Sequence, residues 1–188
     1  MVTNLILTIS AFLIFLVYNA VMVYIFGMPT SLSDTYYLLN SKKKHLGYCF
    51  TAMMWAMAFC LVPGWIAISD AMPGWEHNFT FLAFLAATCI VFVGSAPAFR
   101  DIELENKVHM WAAKLCAVFA IAWCAIVCWK IMYIIPISIG LAWLIGWLLR
   151  NHTNEGRKWT KCSDYIWELS AFIATFATII TECLILSF

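Results

Sequence analysis

Seven side chains in this sequence have the chemistry to bind or transform a ligand: Asp34, His45, Ser95, Asp101, His109, Asp164 and Glu168. The apolar runs between them place all seven near one face of whatever those runs build. Carboxylates, an imidazole and a hydroxyl at one depth suit three tasks. They can hold a metal through imidazole nitrogen and carboxylate oxygen. They can run general acid–base or nucleophilic chemistry on a lipid head group. They can also hydrogen-bond one another and fix how helices pack. The pocket expected from them is built from Asp34, His109 and Glu168, with Ser95 and Asp164 beside them as ligand-binding residues. His109, Glu168, Asp34 and Ser95 are the catalytic candidates. Asp34, His109 and Glu168 are the candidate metal ligands, and zinc is the ion that set would take. No other cofactor is expected, because bis-histidine haem ligation needs two facing histidines inside the membrane and His109 alone qualifies.

The depth of these residues comes from the rest of the chain. It has 188 residues, 64% apolar and 11% charged, with mean hydropathy +0.88. A soluble domain is roughly 45–50% apolar and about 25% charged. No globular core hides this much apolar surface, so the solvent must be lipid. A span needs about 20 mostly apolar residues, and the expected spans are 5–26, 48–68, 79–95, 108–128, 131–149 and 165–186. The first run is too long for a signal peptide and is read as a span. Lipid offers backbone groups no partner, and the runs are too long for barrel strands, so the spans must be helices. The expected fold is an all-α integral membrane protein, six transmembrane helices in one bundle and one domain over 1–188. Near-neutral charge gives no reason to expect nucleic acid. Most of the cysteines fall inside apolar runs, only Cys162 is in a loop, and no CxxC spacing occurs, so they read as reduced thiols packed as small hydrophobes.

Charge sets the orientation. Lys42, Lys43, Lys44, Arg100, Lys107, Arg150, Arg157, Lys158 and Lys161 fall on one side of the spans, against Lys130 on the other. The positive-inside rule then places loops 28–47, 96–107 and 150–164 in the cytoplasm and both termini outside. Lys114, about two turns into the fourth span, can snorkel back to the basic side. Trp65, Trp75, Trp129, Trp159 and Trp167 fit an aromatic belt at the interfaces.

Helical spacing adds two stripes. His109, Ala113, Cys116, Ala117, Ala120 and Cys124 share one face of the fourth span, small enough for another helix to approach closely. Asp164, Glu168, Ala171, Thr175, Thr178 and Glu182 share a face of the sixth. Glu182 lies about 21 Å beyond Glu168 at 1.5 Å per residue. Thr175, Thr178 and Glu182 are therefore candidates to line a path across the membrane.

Three stretches carry a family likeness: MPTSLSDTYY at 28–37, VGSAPAFRDIELENKVHMWAA at 93–113 and DYIWELSAF at 164–172. Together they resemble the six-span family of DRAM-type autophagy modulators and the related GPI-lipid-remodelling proteins. That family has a Pro and a Ser-Asp pair after the first span, a Val-His-x-x-Gly-Ala pattern entering the fourth, and a Glu near the start of the sixth. Here these fall on Ser33 and Asp34, on Val108 and His109 with Ala112 in place of the Gly, and on Glu168. The resemblance implies a lipid-handling or trafficking protein, and it implies loop one on the outer side, opposite to the charge rule. A more distant likeness is to alkaline-ceramidase-like zinc hydrolases, whose paired histidines on the last span are missing here.

The leading expectation is a protein that binds or processes a membrane lipid at one membrane face, with membrane lipids as its partners and homo-oligomerisation open. A small-solute or proton-coupled carrier using the sixth-span stripe is the alternative. A structural or regulatory membrane subunit is the third.

Overall fold

A computed structural model of the chain describes residues 1–71, 79–131 and 163–187. Six helices make up most of them: α1 (Val2–Phe26), α2 (Thr35–Lys42), α3 (Tyr48–Ala71), α4 (Thr80–Ser95), α5 (Glu103–Ile131) and α6 (Ser163–Ile185). Among the described residues four segments are long and apolar enough to cross a membrane: α1, α3, the Glu103–Val127 part of α5 and the Asp164–Ile185 part of α6. By helix length and composition the chain is a multi-pass membrane protein. Residues such as Val17, Phe59, Phe84 and Val118, each more than half exposed, give these helices an apolar exterior. α4 is equally apolar but has 16 residues. That is about 24 Å at 1.5 Å per residue, against a hydrocarbon core of roughly 30 Å. The fifth expected span, 131–149, and nearly all of loop 150–164 lie outside the described residues, with Trp75, Arg150, Trp159 and Cys162. The side chains of Cys128, Trp129 and Lys130 are also outside the description.

The ends of the helices follow from local sequence. α1 stops at Gly27, whose φ of 77° is open to glycine at little cost, and Pro29 prevents resumption. Two regions expected to be loops are partly helical. Within 28–47 lies α2, whose Tyr36 and Leu39 are buried and whose Tyr36 ring meets Tyr48 edge-on, centroids 6.0 Å apart. Gly47 makes that docking possible, since a Cβ there would come within 2.6 Å of the Tyr36 carbonyl oxygen. Within 96–107, α5 begins at Glu103. Glu103 and Glu105 sit in its first turn, where carboxylates suit the helix dipole, and Glu103 pairs with Lys107 at 2.7 Å.

α4 packs against α3 on one side and α5 on the other, and α1 packs against α3 and α6. Gly94 lets α4 lie on α3: a Cβ there would be 2.9 Å from Met54 Cβ, and Thr51 Oγ1 donates to the Gly94 carbonyl at 2.8 Å. Phe12, Phe15, Phe172 and Phe176 interlock α1 with α6, with ring centroids 5.1 to 5.8 Å apart. Trp65, expected in an interfacial belt, is instead fully buried, edge-on to Trp123 at 6.0 Å. α5 touches α6 far less than it touches α4, and α6 packs mainly on α1. The gap between α5 and α6 is where the site lies.

Candidate functional site

The short polar stretch Thr30–Thr35 is held, residue by residue, by the surrounding helices. The Tyr165 backbone N–H donates to the Thr30 carbonyl at 3.0 Å. The Leu32 N–H donates to Glu168 Oε2 at 2.5 Å. Ser33 Oγ lies 2.8 Å from His109 Nε2. Asp34 forms an ion pair with Arg100. Thr35 Oγ1 donates to the Leu32 carbonyl and lies 2.7 Å from the Tyr18 hydroxyl. Three helices (α1, α5 and α6) and, through Arg100, the α4–α5 turn thus reach five of these six residues, while the Ser31 hydroxyl accepts from the Asp34 N–H within the stretch. The reason is physical: this backbone runs among apolar helices without a ladder of its own, and buried N–H and C=O groups must find partners.

His109 is buried at 3% exposure. Its Nδ1 lies 3.0 Å from the Ala96 carbonyl oxygen, and Phe99 stacks on its ring with centroids 4.5 Å apart. A carbonyl oxygen only accepts, so Nδ1 carries the hydrogen; in the neutral imidazole Nε2 then holds the lone pair and accepts from Ser33. Arg100 is anchored from three sides. Its backbone N–H donates to the Tyr37 hydroxyl at 2.7 Å, and its guanidinium lies 5.1 Å from the Tyr37 ring and 5.7 Å from that of Phe99. Asp34 occupies the N-cap position of α2 yet makes no cap bond, because its carboxylate is turned to Arg100. Burial pushes the Asp34 carboxyl above its usual value, and the neighbouring Arg100 opposes that push.

Two cavities meet at these residues. The polar one, about 610 Å³, has Ser33, Asp34, Arg100, His109, Lys114 and Asp164 on its wall. The apolar one, about 100 Å³, lies deeper, enclosed by α3, α4, α5 and α6, with Leu61, Trp65, Ile90, Ala117, Ala171 and Phe172 on its wall. Ser33, Ala113 and Glu168 line both. The small-residue face of α5 therefore borders a slot, where close contact with another helix was expected. α5 and α6 approach each other at Cys124 Sγ and Thr175 Oγ1, 4.0 Å apart.

Of the expected site residues, Asp34, His109, Asp164 and Glu168 share the polar cavity. Ser95 does not: it is exposed, and its hydroxyl donates to the Val91 carbonyl at 2.7 Å in its own helix. The serine beside His109 is Ser33, whose only signal in the sequence is its place before Asp34. His109 and Glu168 make no hydrogen bond to each other; they hold adjacent residues of loop one. The metal set is corrected in the same way. Among the described residues no three His, Cys, Asp or Glu side chains are grouped to hold a metal ion: His109 is directed to Ser33 and Ala96, Asp34 to Arg100 and Glu168 to Leu32. His45, with φ 72°, stacks on Tyr48 at the exposed end of loop one. On the path-lining stripe, Thr175 reaches the slot. Thr178 donates to its own helix at the Ala174 carbonyl, and Glu182, buried at 1% exposure, lines neither cavity.

No family model matches the chain, no curated protein matches it, and no solved structure matches it.

Proposed function

We propose that this chain is a six-span membrane protein that binds one membrane lipid, with the head group in the polar cavity and the first carbons of an acyl chain entering the small apolar cavity beside it. The observation that carries the reading is that the two cavities adjoin, with Ser33, Ala113 and Glu168 on the wall of both. A charged mouth beside an apolar, alanine-lined slot has the polarity profile of an amphiphile. Apolar pockets with a few convergent polar groups are the usual form of a small-molecule site. Arg100 and Lys114 are the cations of the mouth, able to meet a phosphate, and stand beside the carboxylates of Asp34, Asp164 and Glu168. In this reading α4 and residues 131–149 also cross the membrane, and loops 28–47, 96–107 and 150–164 face the cytoplasm as the charge rule requires. The resemblance to the lipid-remodelling family points to the same class of ligand.

The test is native mass spectrometry of the protein purified in mild detergent. The expected result is one phospholipid mass bound per chain, lost when Ala117→Trp fills the slot and retained when Ser95→Ala alters the exposed face. A wild-type chain free of lipid, or an Ala117→Trp variant that keeps it, overturns the reading.

A further inference from the structure

From the pairing of Ser33 with His109 at the junction of the two cavities, we infer that the chain cleaves the acyl ester of the lipid it binds, with Ser33 as nucleophile and His109 as general base. The inference rests on the lipid-binding reading above and adds a reaction to it. Three observations carry it. First, Ser33 Oγ and His109 Nε2 are 2.8 Å apart, the separation a proton transfer needs. Second, the Ala96 carbonyl, 3.0 Å from Nδ1, holds the imidazole in the tautomer that leaves Nε2 free to take the serine proton. The carbonyl takes the place that a carboxylate fills in a Ser-His-Asp triad. The Phe99 ring, stacked on the imidazole, keeps it in plane. Asp34, the nearest carboxylate in sequence, is engaged with Arg100 and not needed for that task. Third, Ser33 lines both cavities. In a membrane lipid the ester carbonyl is the boundary between head group and tail. A lipid seated with its head in the mouth and the first carbons of its tail in the slot brings that carbonyl to Ser33.

The reaction balances with water as co-reactant. Ser33 Oγ bonds to the ester carbonyl carbon as its proton passes to His109 Nε2, and the carbonyl electron pair moves onto oxygen. Lys114 and the Asp34-paired Arg100 are the cations on this wall, offset by the carboxylates of Asp164 and Glu168. The C–O bond to the lipid alcohol then breaks, and His109 returns its proton to the departing alkoxide. Water from the membrane surface attacks the acyl-serine; His109 takes the water proton and delivers it to Ser33 Oγ as the fatty acid leaves. Ala96 and Phe99 act as positioning residues.

The test uses the full-length protein in mixed micelles, an alkyl fluorophosphonate as active-serine probe, and phosphatidylglycerol vesicles with a labelled acyl chain. The expected result is a probe adduct on Ser33 of the wild-type chain, located by peptide mass spectrometry and missing in His109→Ala. Release of labelled fatty acid should fall at least about 100-fold in Ser33→Ala and His109→Ala, the scale of lost nucleophilic or general-base catalysis. Because the adduct is sought on the wild-type chain, a folding defect in a variant cannot mask the answer. If wild type retains lipid in native mass spectrometry but takes no probe and releases no fatty acid, the Ser33 chemistry is overturned and the lipid-binding reading stands. If neither lipid nor adduct is found, both fall.

Discussion

At the loop-one end of the bundle, Ser33, Asp34, Thr35, His109 and Glu168 each have a hydrogen-bond or ionic partner. Toward the opposite end, where α3 and α6 finish and α4 begins, Trp65 Nε1, Thr80 Oγ1 and one Glu182 carboxylate oxygen are buried with no hydrogen-bond partner among the described residues. The same apolar helices supply both ends, and among the described residues the loop-one end adds a connection of its own. Loop one folds a polar stretch back among the helix ends, and its amides and hydroxyls give His109 and Glu168 something to hold. A network with every member satisfied fixes one geometry, while a lone buried polar group costs free energy and fixes nothing.

The largest expected effect is at that end. Glu168→Ala removes the acceptor of the Leu32 N–H and frees loop one from α6, at a cost of about 1.5–3 kcal/mol, as for a hydrogen bond to a charged group. Glu168→Gln should recover more than half of it, since the amide oxygen still accepts. Reversible denaturant unfolding in detergent measures both. An unchanged midpoint for Glu168→Ala would show that the loop-one end is not held together as described.

A pair of glycine substitutions sharpens the contrast between the ends. The Cβ of Gly94→Ala would meet Met54 Cβ at 2.9 Å, an atom fixed to the α3 backbone, and should cost about 1–3 kcal/mol by overpacking. The Cβ of Gly64→Ala, nearer the other end, would meet Thr8 Oγ1 at 3.0 Å and Ile179 Cγ2 at 3.3 Å, both on side chains. These can shift by a few tenths of an ångström, so the loss should be smaller than for Gly94→Ala. The same unfolding series ranks the two, and the reverse order would contradict the idea that the loop-one end is the stiffer one.

The smallest effect is expected at the far end. Glu182→Met replaces a buried carboxylate that has an unpartnered oxygen with an apolar chain of similar length. It should leave stability unchanged or raise it by up to about 1 kcal/mol, because no paired group is orphaned by the change. A loss above about 1 kcal/mol would show that Glu182 has a partner of consequence.

Apolar run length determined the helices that cross the membrane, because lipid leaves an apolar segment of that length no other way to satisfy its backbone. The starts and ends expected for α1, α3, α4, α5 and α6 lie within a few residues of those found. Asp34, His109, Asp164 and Glu168 were legible as one cluster from depth alone. Ionisable groups in or beside an apolar span are few, and the span count assigns each to a face. What depth does not carry is direction around a helix axis and the path of a loop. Ser95 and Ser33 are both serines near the same face, yet Ser95 turns outward onto its own helix while Ser33 is folded inward beneath His109. Arg100 reads as one more basic loop residue until Tyr37, Phe99 and Asp34 are brought around it. α2 was invisible because eight residues, half of them polar, carry little periodic signal; Tyr36 docks it on Tyr48 of α3. The alanine face of α5 showed that something fits closely against it, and only the packing of α3, α4 and α6 around that face left a cavity there. Composition and period fix what a residue is and how deep it lies. Which partner it meets depends on contacts between positions as far apart as Ser33 and His109, which no local pattern encodes.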